Sequence, residues 1–203
     1  DYSYIDSLKD EDLQKLTRAI IQEHEEQLLF WPAAYKLHHA MRGGLLYHTL
    51  SIIKLASAVA RRYPSIDRDL LLAGVIIHDR GKIDEMKSDE TGNVSDYTHE
   101  GQLLGHLVGG IISLDRVAKE TGVTGEWPLL LEHMLLSHHG ESEFGSPKQP
   151  MFAEAEALHW IDIMDARMNT MKTVTDKTPP GAFSERIPSL DRRVYHPQYG
   201  KGK

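Results

Sequence analysis

One stretch constrains the rest of the chain: Leu70-Leu71-Leu72-Ala73-Gly74-Val75-Ile76-Ile77, an apolar run that ends abruptly in His78-Asp79. A run this continuous has to be buried, so an imidazole and a carboxylate at its end meet a medium in which an unpaired charge is strongly disfavoured. Either a cation neutralises them or they hydrogen-bond to each other at a helix C-terminus. Adjacent residues project about 100° apart on a helix. His78 and Asp79 can therefore reach one ion only where the helix ends or loosens, and Gly81 supplies that break.

Composition narrows which ion could serve. Cys is absent from the 203 residues while His numbers 12, so a metal here would be held by nitrogen and oxygen. That donor set suits manganese, iron, magnesium, cobalt or zinc and selects none of them by itself. A hydrophobic content of 40% is that of a soluble globular domain. No apolar run reaches the roughly 20 residues that span a bilayer, and the N-terminus has no signal pattern, so the expected location is cytoplasmic, with no membrane partner. The formal net charge of −7 is a poor match for a domain that grips nucleic acid through phosphate contacts alone.

The apolar periodicity predicts helices over about 10–29, 45–63, 68–78, from 98 onward, from 128 to the His138-His139-Gly140 phrase, and 151–173. Asp10 and Asp67 are suited to cap the first and third, Pro32 and Pro64 to end the first and second, and Pro128 to open the fifth. Residues 84–97 are polar and read as an excursion between helices, and the segment after Pro179-Pro180 as an irregular basic tail. With at most seven helices and no strand-like alternation, the expected fold class is an all-α bundle with a central metal site. Its expected organisation is an N-terminal helix over 1–31, a core over 32–178 and the tail over 179–203.

His48 lies on the apolar stripe of the second helix with Ile52, Leu55 and Val59, and His106, His138, His139 and Asp162 each fall in a further apolar-periodic segment. In chain order the polar core candidates read His, His-Asp, His, His, Asp. This order resembles that of the HD-domain metal-dependent phosphohydrolases. The phrases Pro32-Ala33-Ala34, His38-His39-Ala40, Gly43-Gly44-Leu45-Leu46-Tyr47-His48-Thr49, Gly101-Gln102-Leu103-Leu104-Gly105-His106, Ser137-His138-His139-Gly140 and Asp162-Ile163-Met164-Asp165-Ala166 are similar to the YhaM-type branch, which trims RNA from its 3′ end. The resemblance runs from about Pro32 to Asp191.

The resemblance implies two divalent ions per chain, most commonly manganese. His48, His78, Asp79 and Asp162 would hold one, and Asp79 would bridge to a second held by His106 and His138, with His139 lining the pocket. It further implies attack of a metal-bound hydroxide on a phosphodiester at the 3′ end of single-stranded RNA or DNA. Lys82, His38, His39, Arg80 and His139 are the candidate substrate contacts, Lys82 and Asp79 the candidate catalytic pair. Arg80 and Tyr47 depart from the branch, which usually has an apolar and an acidic residue there. In that branch an oligonucleotide-binding barrel precedes this domain, so the chain is expected to be the catalytic part of a longer protein. A nucleotidase, a cyclic-dinucleotide phosphodiesterase, a di-iron oxygenase or a silent nucleotide-binding module would share the same ligand order.

Overall fold

The structure of the chain, a computed structural model, describes residues 2–34 and 42–199. The elements are α1 (Ser3–Asp6), α2 (Glu11–Gln22), α3 (Glu25–Leu28), α4 (Gly44–Arg62), α5 (Arg68–Ile77) and α6 (Lys82–Glu85), then β1 (Met86–Ser88) and β2 (Val94–Tyr97). After them come α7 (His99–Thr121), α8 (Trp127–Ser137), α9 (Ala153–Lys177), β3 (Phe183–Ile187) and β4 (Arg192–Tyr195). By compactness the chain forms two units, Asp1–Asp162 and Ile163–Lys203, whereas the sequence reading divides it after residues 31 and 178. No helix among the described residues is long and apolar enough to cross a membrane.

Helix α5 is the axis of the first unit. Every residue from Leu70 to Ile77 is buried, because α2, α4 and α8 pack around it on different sides. Each large aliphatic side chain withdrawn from water there contributes roughly 1.5–3 kcal/mol relative to an exposed one. The start of α5 is set by Asp67, whose carboxylate accepts the Leu70 N–H at 2.9 Å. Asp69 fastens the preceding segment, accepting the backbone N–H groups of Lys9 and Asp10 at 2.5 and 2.9 Å. Asp10 in turn caps α2 by accepting from Leu13.

Three expectations are corrected. The helix predicted over 10–29 is broken: α2 ends at Gln22, and His24 has left helical geometry (φ −135°, ψ 32°) before α3 begins. The break adjoins Glu23, whose carboxylate is drawn to Arg80 at 2.9 Å and Arg116 at 2.7 Å. Residues 84–97 contain a short antiparallel hairpin, with Met86 opposite Tyr97 and Lys87 opposite Asp96. Met86 is buried in a small second cluster with Trp31, Ala33, Leu45 and Ile83. The tail is not irregular throughout, since β3 and β4 pair antiparallel with Phe183 opposite Tyr195 and Arg186 opposite Arg193. The bundle is all-α at its core, with these two ribbons added.

Candidate metal centre

The end of α5 delivers His78 and Asp79 into the middle of the first unit, where both are almost wholly buried. Around Asp79 the other elements converge. Its Oδ2 lies 3.3 Å from His78 Nε2 and 3.9 Å from His48 Nε2 on α4, and His48 Nε2 lies 3.1 Å from Asp162 Oδ1 on α9. Its Oδ1 faces the other way, 3.6 Å from His106 Nε2 on α7 and 3.6 Å from His138 Nε2 just past α8. One carboxylate is thus shared between two imidazole sets.

The ring nitrogens are committed in a consistent sense. His78 Nδ1 bonds the Val75 carbonyl at 2.8 Å, and His138 Nδ1 bonds the Leu135 carbonyl at 2.8 Å. A carbonyl can only accept, so each Nδ1 carries a proton and each Nε2 is the nitrogen turned towards Asp79. Burial pushes His138 down to about 3, so that imidazole stays neutral.

His106 is aimed by a different device. Gly105, at φ 72° and ψ 168°, interrupts α7 and restarts it at His106, leaving the His106 backbone N–H without a partner in the preceding turn. Glu85 at the end of α6 fills the gap, accepting that N–H at 3.1 Å and lying 3.2 Å from the ring Nδ1 with the same oxygen. Burial acts to raise the Glu85 carboxyl, and its hydrogen bonds to His106 outweigh burial, holding it below the usual range. Nothing in the spacing of residues 85 and 106 signals this pairing, and the sequence reading missed it. Glu85→Ala is expected to weaken cation binding about 10- to 100-fold. Glu85→Gln keeps an accepting oxygen and should fall between the two. Calorimetric titration with manganese reads the order, and equal affinities in all three proteins would contradict it.

Lys82 reaches the same carboxylate, its Nζ 2.7 Å from Asp79 Oδ2. Burial acts to lower the lysine, but Asp79, Asp162 and Glu85 together raise it. For Asp79 burial acts upward, and the Lys82 ammonium overcomes it, holding the carboxyl well below the ordinary range. Asp162 is likewise depressed against its burial, chiefly by its hydrogen bond with His48.

A metal fits these residues. Among the described residues, the buried atoms with no hydrogen-bond partner include Asp79 Oδ1, His106 Nε2 and His138 Nε2, the three that converge on one point. Such a cluster of acceptors lacks only a cation. Among the described residues three sets of donor atoms lie mutually within 4.8 Å: Asp79, His106, His138 and His139; His48, His78 and Asp79; and His78, His138 and Asp162. His139, read from the sequence as a wall of the pocket, supplies a donor to the first set.

Two expectations meet other outcomes. Arg80 is not brought to the cluster. Its guanidinium is buried and bonds Asp84 at 2.5 Å and Glu23 at 2.9 Å, joining α2 to α6. The reason is topological: the residue after Asp79 turns away from the carboxylate towards Glu23, just past the end of α2. Arg80→Met, which keeps the buried stem, is expected to cost about 1–3 kcal/mol in urea unfolding while leaving manganese affinity unchanged. His38 and His39 lie outside the described residues.

The sequence profile of the HD domain family matches residues 45–167. Over 200 residues the chain is 46% identical to the 3′-5′ exoribonuclease YhaM of Bacillus subtilis (strain 168), covering 98% of this chain and 62% of that protein. It is 44% identical over 193 residues to the YhaM exoribonuclease of Geobacillus sp. (strain WCH70), covering 95% and 59%, and 46% identical over 194 residues to that of Listeria monocytogenes EGD-e, covering 95% and 61%. The chain therefore spans about three fifths of the length of these curated relatives. No solved structure matches it significantly. The family profile spans more than half of the chain and takes in all five histidines and both aspartates of the cluster, so the chain belongs to the HD domain family.

Proposed function

We propose that this chain is a divalent-metal-dependent phosphohydrolase that removes nucleotides from the 3′ end of single-stranded RNA. The observation that carries the reading is the shared Asp79 carboxylate, one oxygen towards His48 and His78 and the other towards His106 and His138. In this reading His48, His78, Asp79 and Asp162 hold one ion, and Asp79, His106, His138 and His139 a second. Manganese suits such an all-nitrogen-and-oxygen set. Paired cations would polarise phosphoryl oxygens and make water acidic enough to serve as a nucleophile near neutral pH.

The chain's own residues do the remaining work. The Nδ1 bonds of His78 and His138 fix which nitrogen faces inward, so these two rings need not reorient to bind. Lys82 balances the Asp79 charge in the metal-free protein and is a mobile point charge for a substrate phosphate once cations take over that balance. In the reading His38 and His39 are substrate contacts too. The names of the relatives supply the polymer and its direction, and the oligonucleotide-binding domain that the family resemblance implies would serve as this domain's partner.

The test is a 5′-labelled single-stranded RNA incubated with the chain and manganese, beside a nucleoside monophosphate and an Asp79→Asn control. A descending ladder that the control lacks supports the reading. Phosphate release from the monophosphate with the RNA left intact would move the assignment to a nucleotidase.

A further inference from the structure

The acidic balance of the whole chain conceals a reversal. Residues 163–203 contain eight Lys and Arg against four Asp and Glu, within a chain whose formal charge is −7. Three of those arginines sit on the β3–β4 ribbon of the second unit. The alternation of strand side chains sends Ser184 and Val194 to its buried face, where the Ser184 hydroxyl accepts the Val194 N–H at 2.9 Å.

The opposite face carries Phe183 and Tyr195 as a cross-strand pair, ring centroids 5.0 Å apart, and they remain 58% and 44% exposed. Arg193 lies over the Phe183 ring at 5.4 Å, anchored through its Nε to the Ser184 carbonyl at 2.8 Å. Arg192 is held through its Nε to the Leu190 carbonyl at 3.0 Å. Arg186 is paired with Asp191. Among the described residues no carboxylate pairs with Arg192 or Arg193, and both residues are exposed.

We propose that this outer face of the β3–β4 ribbon is a contact surface for single-stranded nucleic acid. Phe183 and Tyr195 stack a base, Arg193 on the same face takes one flanking phosphate, and Arg192, exposed at the start of β4, takes the next. Two half-exposed aromatic rings beside unpaired arginines match what a single strand offers, a planar π-face next to a phosphate, in a sequence-tolerant way. An acidic protein surface would satisfy the arginines and leave the rings without a flat partner. The inference deepens the nucleic-acid reading given above and rests on it for the choice of strand. It needs no metal, so the two can fail separately.

The experiment uses the full chain in chelator, where no hydrolysis occurs, and fluorescein-labelled oligoadenylate read by anisotropy across a salt series. Phe183→Ala/Tyr195→Ala is expected to weaken binding about tenfold or more. Phe183→Tyr/Tyr195→Phe, which keeps both rings, should bind like the parent. Arg192→Ala/Arg193→Ala should make the slope of log K against log salt shallower by about 1.4, since each lost phosphate contact removes about 0.7 on a single strand. Circular dichroism and manganese-dependent hydrolysis of bis-p-nitrophenyl phosphate should be unchanged in all variants. No measurable binding by the parent overturns the inference, as does unchanged binding in the Ala variants. Loss confined to the arginine variant, with an equal loss towards heparin, overturns it too and marks a general polyanion or acidic-protein surface. Binding that depends on the ribbon, in a chain that does not degrade RNA with manganese, would uphold this inference while removing the exonuclease reading.

Discussion

Asp79→Asn should remove manganese-dependent RNA hydrolysis and manganese-dependent stabilisation together. Its two oxygens face different imidazole sets, so one substitution withdraws negative charge from both. Losing charge stabilisation worth several kcal/mol corresponds to a rate decrease on the order of a thousandfold or more. Stability gives an independent reading. A cation at about 100 times its dissociation constant adds about 2.7 kcal/mol to a protein that binds it only when folded. For a chain of this size that is a rise of roughly 5–10 °C in unfolding midpoint, which Asp79→Asn should nearly abolish. His48→Ala and His106→Ala each touch one oxygen's side only and should retain part of the shift. A full manganese shift in Asp79→Asn would defeat the shared-carboxylate arrangement.

The substitution has a second effect that must be separated from the first. In the metal-free protein the Lys82 ammonium rests on Asp79 at 2.7 Å, and an amide there leaves a buried cation with less compensation. Asp79→Asn should therefore also lower stability in chelator, and Asp79→Asn/Lys82→Met should recover much of that loss without recovering metal binding. The pair distinguishes a carboxylate needed for cations from one needed only to balance a lysine.

How far the site was legible depends on where its information lies along the chain. His78 and Asp79 announced themselves because an apolar run and a polar pair are adjacent, and the starts of α2 and α5 were legible because Asp10 and Asp67 act on amides three residues away. His48 was legible from a helical stripe, although its relation to Asp162 came only from the family resemblance. What the sequence did not disclose is non-local. The partners of Arg80 include Glu23, 57 positions earlier, and Glu85 meets His106 across 21 positions. Neither pairing has a periodicity to betray it. The two hairpins escaped for another reason: strands of three to five residues, with bulged registers, give too few alternations to stand out from polar loop.

Gly81 illustrates the same limit, and its replacement carries the other large expected effect. From sequence it is a helix breaker, but in the structure its φ of −57° is one any residue adopts. Its requirement is steric. A Cβ at residue 81 would lie 2.2 Å from the His106 carbonyl oxygen and 3.0 Å from the Gly110 backbone nitrogen. Both are backbone atoms of α7, so relief requires moving that helix, whereas a flexible side chain could simply have rotated. Overpacking of this kind costs about 1–3 kcal/mol. Displacing α7 also carries His106 away from Asp79, a separation that metal binding tolerates within a few tenths of an ångström. Gly81→Ala should thus lower the unfolding midpoint in chelator and lose most of the manganese shift. Calorimetric stoichiometry should fall towards one ion per chain, because His48, His78 and Asp162 are held by α4, α5 and α9 and do not ride on α7. Gly110→Ala provides the contrast: its Cβ would press on the end of the Leu135 side chain at 3.3 Å, which can turn aside, and meet the Gly81 backbone only at an ordinary 4.0 Å. That variant should keep both ions. Loss of manganese binding in Gly110→Ala and retention in Gly81→Ala would reverse the argument, placing the constraint in α7 itself and not in its approach to the turn after Asp79.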